Sequence, residues 1–222
     1  MTVSRVLELL AVFFLFVVFF VPFIMLAVLL KIDSAGPILF ADLRYGKGKR
    51  PFYMYKLRSM KRGEDGTTPY HTTDRDSRFS RFAHFVRSTG LDELPQIFNV
   101  MKGEMALIGP RPERVFVVDK YYSGWMDDVF EFTPGICGVT QLVFRGMVFP
   151  DEFPDKLALE LWYARNRTFL SDVALLCYTV VTTTSFSWRF YFPSSQRENI
   201  EIVDKKLSLF TRSPFRKSRR AV

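Results

Sequence analysis

A chain of 222 residues is long enough for one ordinary core plus an appendage and too short for two full-sized domains. Its 31 Lys and Arg against 23 Asp and Glu give a net charge of +8, which favours anionic partners such as phospholipid surfaces, nucleotides or nucleic acid without choosing among them. Aromatic residues make up 16% of the chain, more apolar bulk than a soluble domain needs, while the two distant cysteines, Cys137 and Cys177, exclude a disulfide framework or a zinc-ligand spacing.

From Leu9 to Leu30 no side chain is charged or strongly polar, and these 22 residues at about 1.5 Å each reach roughly 33 Å, enough to cross a bilayer. A cleaved signal peptide fits poorly, because the run is longer than an h-region and Lys31 and Asp33 stand where a cleavage site belongs. Pro22 interrupts the run, where it removes a backbone donor and predicts a kink or break. Arg5 flanks one end and Lys31, Lys47, Lys49 and Arg50 crowd the other, so charge gives no clean orientation. A helix–break–helix returning to the same face and a single spanning helix both fit.

After Gly36-Pro37, two short extended pieces, Ile38 to Tyr45 and Phe52 to Leu57, flank Gly46-Lys47-Gly48-Lys49-Arg50-Pro51 and predict a β-hairpin with a solvated tip. Lys56 and Arg58 close its second strand, and residues 61–76, rich in Gly, Thr, Asp and Arg, read as a loop. Ser77 to Thr89 predicts an amphipathic helix with Phe79, Phe82, Ala83 and Val86 on one face and Arg81, His84, Arg87 and Ser88 on the other, suited to a core or to an anionic bilayer surface.

Leu94, Ile97, Phe98 and Met101 form the stripe of a further helix. Pro95 belongs in a first turn, which places the start near Asp92, and Gly103 is a natural stop. Asp92 and Glu93 then sit at the helix start, about 100° apart around the axis. They can simply cap the helix. Their divergence excludes the facing carboxylate pair of a glycosidase and suits a nucleophile beside an orienting or metal-binding carboxylate, with Arg87 as a nearby phosphate-binding candidate. Pro110-Arg111-Pro112 presents a guanidinium from a stiff turn, an arrangement that suits phosphate or a plain exposed corner.

These pieces together resemble the bacterial sugar transferase family of monotopic phosphoglycosyl transferases. The match runs in order through Lys31-Ile32-Asp33-Ser34, Gly36-Pro37, Arg44-Tyr45-Gly46, Lys56-Leu57-Arg58-Ser59-Met60, Arg87 to Gln96, Lys102-Gly103-Glu104-Met105, Gly109 to Pro112 and Thr133-Pro134-Gly135-Ile136. The resemblance implies an α+β fold in which residues 1–36 are a re-entrant anchor broken at Pro22 and 37–184 a compact catalytic domain with its hairpin and interfacial helices on the cytoplasmic face of a bacterial inner membrane. It implies a ping-pong reaction in which Asp92 takes a phosphosugar from a UDP-sugar and passes it to polyprenyl phosphate. Glu93, with Asp92, would hold Mg²⁺, while Arg87, Lys56, Arg58 and Arg111, the last between Pro110 and Pro112, would bind phosphates or the uridine end.

The chain departs from the family pattern at Val21, where Ser often precedes the breaking Pro, at Leu57 in place of Phe, at Ala41-Asp42, and around Cys137 to Gly146. Beyond Thr184 the resemblance ends. Ser171 predicts the cap of a helix through Asp172 to about Val181, too short to span. The extension 185–222, aromatic and then basic at Arg216-Lys217-Ser218-Arg219-Arg220, is a candidate surface for a homodimer or for anionic lipid. Rival readings are a membrane-anchored binding protein without catalysis and a phosphatase or nucleotidase using the same Asp; nucleic acid is not an expected partner.

Overall fold

The computed structural model describes residues 3–33, 36–58, 80–143 and 152–184, with 205, 207 and 209–211. The expectations for the 61–76 loop, for Phe79 and Gly146, and for 185–199 and 216–220 fall outside the described residues. The chain gathers into two compact units, Met1–Leu43 with Tyr53–Met105, and Arg44–Phe52 with Ala106–Val222.

In the first unit, helix α1 runs from Val3 to Asp33, about 46 Å at 1.5 Å per residue. The sequence predicts a kink or break at Pro22, and that residue lies inside one helical element, so the helix does not end there. A proline inside a helix removes its own rung and crowds the carbonyl four residues back, which bends the axis without ending the element. Phe13, Phe14, Val17, Val21 and Met25 are each more than half exposed, an apolar surface suited to lipid. Towards the other end, Leu26 and Leu30 are buried against Leu57 and Val86, with Phe23, Ile38, Phe82, Leu91 and Leu94 around them.

The predicted hairpin forms from β1 (Leu39–Tyr45) and β2 (Pro51–Leu57). Its tip, which belongs to the second unit, closes with Gly46 N–H donating to the Arg50 carbonyl at 2.8 Å and needs positive φ at Gly48 (66°) and Lys49 (57°). The amphipathic segment folds as α2 (Arg81–Ser88), shorter than expected because Ser80 is the cap, its hydroxyl accepting from Ala83 N–H at 3.0 Å. Ala83 and Val86 face inward and Phe85 and Arg87 are exposed. Helix α3 (Gln96–Lys102) ends where expected, at Gly103, whose φ of 82° lets its N–H reach the Asn99 and Val100 carbonyls.

The second unit is built on a pairing that the sequence did not reveal. Strands β3 (Ala106–Ile108) and β4 (Gly135–Cys137) run parallel, Ala106 beside Gly135 and Ile108 beside Cys137. Between them come α4 (Val115–Tyr121) and a 3₁₀ segment, Gly124–Glu131. After them, α5 (Val139–Val143), α6 (Phe153–Asn166) and α7 (Phe169–Thr184) bury Leu142, Leu159, Trp162 and Leu175 around Ile108, joined by Leu207 of the C-terminal extension. The cap of α7 is Thr168 rather than Ser171. The Thr168 hydroxyl accepts from Ser171 N–H at 3.2 Å while the Ser171 hydroxyl accepts from Thr168 N–H at 2.7 Å, a reciprocal capping box that starts the helix earlier than predicted.

Glycine at 135 is dictated by the crossing of backbones, since a Cβ there would lie 2.0 Å from Gly109 N. Gly135→Ala should therefore lower stability by on the order of 3 kcal/mol, whereas Gly124→Ala, in open space but at positive φ, should cost only about 1 kcal/mol. Thermal midpoints of the two detergent-solubilised variants should fall in that order.

Candidate active site

Gly90, in the left-handed region at φ 71°, reverses the chain after α2 and starts a 3₁₀ turn, Leu91–Glu93. Glu93 N–H donates to the Gly90 carbonyl at 3.0 Å and Leu94 N–H to that of Leu91 at 3.3 Å. Pro95 has no N–H to offer, so the ladder stays in i to i+3 spacing until Gln96, and the α-helix begins four residues later than the predicted start near Asp92. The expected divergence of the carboxylates survives, because successive residues of a 3₁₀ turn point about 120° apart. Asp92 is buried, at 7% exposed, whereas the Glu93 carboxylate is half-buried and paired with Lys56 Nζ at 2.9 Å.

The position of Lys56 is set by Asn99, which is fully buried on α3. Its Oδ1 accepts from Tyr55 N–H at 3.1 Å, and its Nδ2 donates to the Tyr53 carbonyl at 2.8 Å and to Glu104 Oε2 at 2.7 Å. One side-chain amide thus takes the place of a strand peptide along the edge of β2. Lys102 Nζ adds a bond to the Tyr55 hydroxyl at 2.8 Å. Arg58 follows β2 and lies against Gly36, where a Cβ would fall 1.8 Å from its Nη1. Lys31 donates to the Gly36 carbonyl at 2.9 Å and the Ser80 hydroxyl to Asp33 Oδ2 at 2.6 Å, so these two charged residues, singled out at the end of the apolar run, hold the C-terminal end of α1.

Lys56, Arg58, Arg87, Asp92 and Glu93 all belong to the first unit, and of the predicted site residues Lys56 and Glu93 form a direct pair. A small apolar cleft in the same unit is lined by Phe16, Phe20, Phe23, Leu94, Ile97 and Phe98. Among the described residues no three His, Cys, Asp or Glu side chains form a ready cation cage. Mg²⁺ typically keeps several waters and takes one or two carboxylates plus substrate phosphates, a mode that the hard oxygens of Asp92 and Glu93 fit.

Pro110, Arg111 and Pro112 belong to the second unit, held by a polar network of residues far apart in the sequence. Arg111 N–H donates to Glu160 Oε1 at 3.3 Å, Thr140 Oγ1 donates to the same oxygen at 2.5 Å, and Arg44 Nη1 donates to the Pro112 carbonyl at 2.9 Å. Arg44 also meets Glu113 at 3.3 Å, whose other oxygen accepts from Lys156 at 2.9 Å. Burial alone would raise the Glu113 carboxyl, but the charges of Lys156 and Arg44 outweigh it and bring it down to about 2. Burial pushes Glu160 up, against the opposing charge of Lys156. The available signal was the i, i+4 spacing of Lys156 and Glu160 among Leu157, Leu159 and Leu161. Beside the turn, a small cleft is lined by Tyr45, Arg111, Tyr122, Phe130 and Phe132. Asp172, in the first turn of α7, accepts from the Tyr163 hydroxyl at 2.9 Å and serves the packing of α6 on α7.

A family model described as bacterial sugar transferase matches residues 1–185. The chain is 37% identical over 158 residues to a UDP-N-acetylgalactosamine-undecaprenyl-phosphate N-acetylgalactosaminephosphotransferase of Aeromonas hydrophila, covering 70% of this chain and 37% of that one. It is 34% identical over 169 residues to a UDP-glucose:undecaprenyl-phosphate glucose-1-phosphate transferase of Caulobacter vibrioides, covering 72% and 62%. With the exopolysaccharide production protein PSS of Rhizobium leguminosarum bv. phaseoli it shares 33% identity over 172 residues, covering 72% and 85%. The chain therefore spans less than two-thirds of the length of the two transferases.

The two buried carboxyls should give stability opposite pH slopes. Glu113 is depressed in the fold, so its contribution is fully present above its ordinary 4.5 and lost as pH falls towards about 2. Glu160 is raised, so the contribution of its bound proton is present below 4.5 and fades as pH rises. In thermal melts from pH 2 to 8, Glu113→Gln should remove the acid slope and cost on the order of 3 kcal/mol by stranding Lys156. Glu160→Gln, which imitates the neutral acid, should be at least as stable as the parent at pH 7.

Proposed function

Since the chain belongs to the bacterial sugar transferase family, we propose that it transfers a sugar-1-phosphate from a UDP-sugar to polyprenyl (undecaprenyl) phosphate, starting a bacterial surface glycoconjugate such as an exopolysaccharide. The observation that carries this reading is the unequal placement of two adjacent carboxylates: Asp92 is buried, and Glu93 is turned away against Lys56 at 2.9 Å.

In this reading an Asp92 oxygen attacks the sugar-linked phosphorus, the bond from that phosphorus to the bridging oxygen breaks, and UMP departs with the bonding electrons. The sugar phosphate is then esterified to Asp92. A phosphate oxygen of the polyprenyl acceptor attacks the same phosphorus and returns Asp92 as a free carboxylate. Glu93, with Asp92, would hold Mg²⁺, which when bound neutralises phosphate charge. Lys56 orients Glu93, and Arg87 and Arg58 supply cations for phosphate oxygens. Within the second unit by itself, Arg111 and the ring faces beside it are a candidate for a phosphate or for the uridine end. The apolar cleft at Leu94 and Phe98 suits an isoprenoid chain.

The lipid-compatible surface of α1 supports residence in the membrane, and the cations near both ends of the apolar run support a bend at Pro22 that returns the chain to the cytoplasmic face of the inner membrane. The extension 185–222 would meet a second copy of the chain or anionic lipid.

Purified protein supplied with UDP-sugars, Mg²⁺ and polyprenyl phosphate should release UMP and load sugar on lipid, and Asp92→Asn should reduce the rate by at least about 10³-fold. Full activity of that variant would remove the nucleophile assignment. UMP and sugar phosphate formed without acceptor would favour a hydrolase, and no turnover of any donor a binding protein. For topology, a cysteine placed by Ser4→Cys, with Cys137 and Cys177 replaced by Ser, should react with a membrane-impermeant thiol reagent only after cells are lysed; labelling in intact spheroplasts would mean a spanning helix.

A further inference from the structure

Gln96 is 1% exposed, and neither its Oε1 nor its Nε2 has a hydrogen-bond partner among the described residues. Burying a primary amide unpaired is costly, and natural folds usually avoid it. The contrast with Asn99, three residues on, is direct: that amide is equally buried, yet it is paired by Tyr53, Tyr55 and Glu104. Asp92, Gln96 and Asn99 are the buried polar residues of this stretch, with Gln96 one turn beyond Asp92. A primary amide needs both an acceptor for its N–H and a donor for its carbonyl. Phosphate alone offers only acceptors. A sugar phosphate offers both, through non-bridging oxygens that accept and hydroxyls that donate.

We propose that Gln96 is a substrate-contacting residue. Its Nε2–H donates to a non-bridging oxygen of the phosphoryl group that Asp92 receives, and its Oε1 accepts from a hydroxyl of the sugar on that phosphorus. This rests on the reading of Asp92 as nucleophile. Gln96 forms no bond to phosphorus and moves no proton. It fixes the orientation of the transferring group before attack.

The test uses the full chain in detergent, with Gln96→Met, Gln96→Glu and Asp92→Asn beside the parent. The donor is whichever of UDP-glucose, UDP-N-acetylgalactosamine and related UDP-sugars the parent turns over. Methionine keeps the length and removes both polar atoms, so the thermal midpoint of Gln96→Met should equal or exceed that of the parent. Its kcat/KM for UMP release should fall at least about 30-fold, and the upward shift in midpoint that the UDP-sugar gives the parent should shrink. Gln96→Glu, which sets a negative charge against phosphate, should be weaker still. Gln96→Met within about threefold of parental activity would overturn the proposal, as would a clearly lower midpoint without ligand, which would mean that the amide has a protein partner. The two readings separate cleanly: an active Gln96→Met beside an inactive Asp92→Asn overturns only the role of Gln96, whereas an active Asp92→Asn removes the nucleophile itself.

Discussion

The geometry of the first unit depends on the side-chain amide of Asn99. Carbonyl and N–H groups along the edge of a two-stranded hairpin must find partners, and a whole third strand is the usual source. Here a single residue on a helix provides one acceptor to Tyr55 and one donor to Tyr53, so the second strand is fixed to α3 at a defined register. Lys56 is the next residue along that strand and Glu93 lies at the entry to that helix, so their 2.9 Å pair follows from the same two bonds. The cluster of Leu26, Leu30, Leu57 and Val86 supplies apolar burial beneath this arrangement, with each fully buried side chain contributing roughly 1.5–3 kcal/mol. Apolar contact alone is non-directional, and the amide supplies the direction.

Much of this unit could be read from the chain, because its signals are local. The hairpin follows from two short extended runs around a Gly- and Lys-rich tip, and the end of α3 from one glycine. The unequal facing of Asp92 and Glu93 follows from helical periodicity, whichever helix type carries them. The exact start of α3 was not legible, because Pro95 has two effects. It is tolerated in a first turn, and it also denies the preceding turn an α-type bond. The parallel pairing of β3 with β4 was hidden for a different reason: three residues on each strand are too few for a periodic pattern. Ion pairs separated by 43 and 69 positions, as between Glu113 and Lys156 or Arg44, leave no local trace at all.

That network is better understood as a device for shape than as a source of stability. Removing charges from water is costly, and their mutual attraction roughly returns what is lost. What the charges add is a fixed backbone at the Pro-Arg-Pro turn, where the Arg111 N–H and the Pro112 carbonyl are each held by a buried side chain. Two prolines restrict the turn from within and Glu160 and Arg44 restrict it from outside. The Arg111 guanidinium is therefore delivered by a rigid mount, as recognition of a planar or bidentate group requires.

At Gly36, φ is 123°, and the space where a Cβ would stand is filled by the Arg58 guanidinium. The glycine shortly after α1 and a cation at the end of the second strand thus occupy complementary halves of one small volume. In evolutionary terms the two positions form a single unit of change. Any side chain gained at the joint would displace the cation, and a smaller residue in place of the arginine would leave the joint without its packing. A change in how the end of α1 packs is thereby tied to where the Arg58 cation stands.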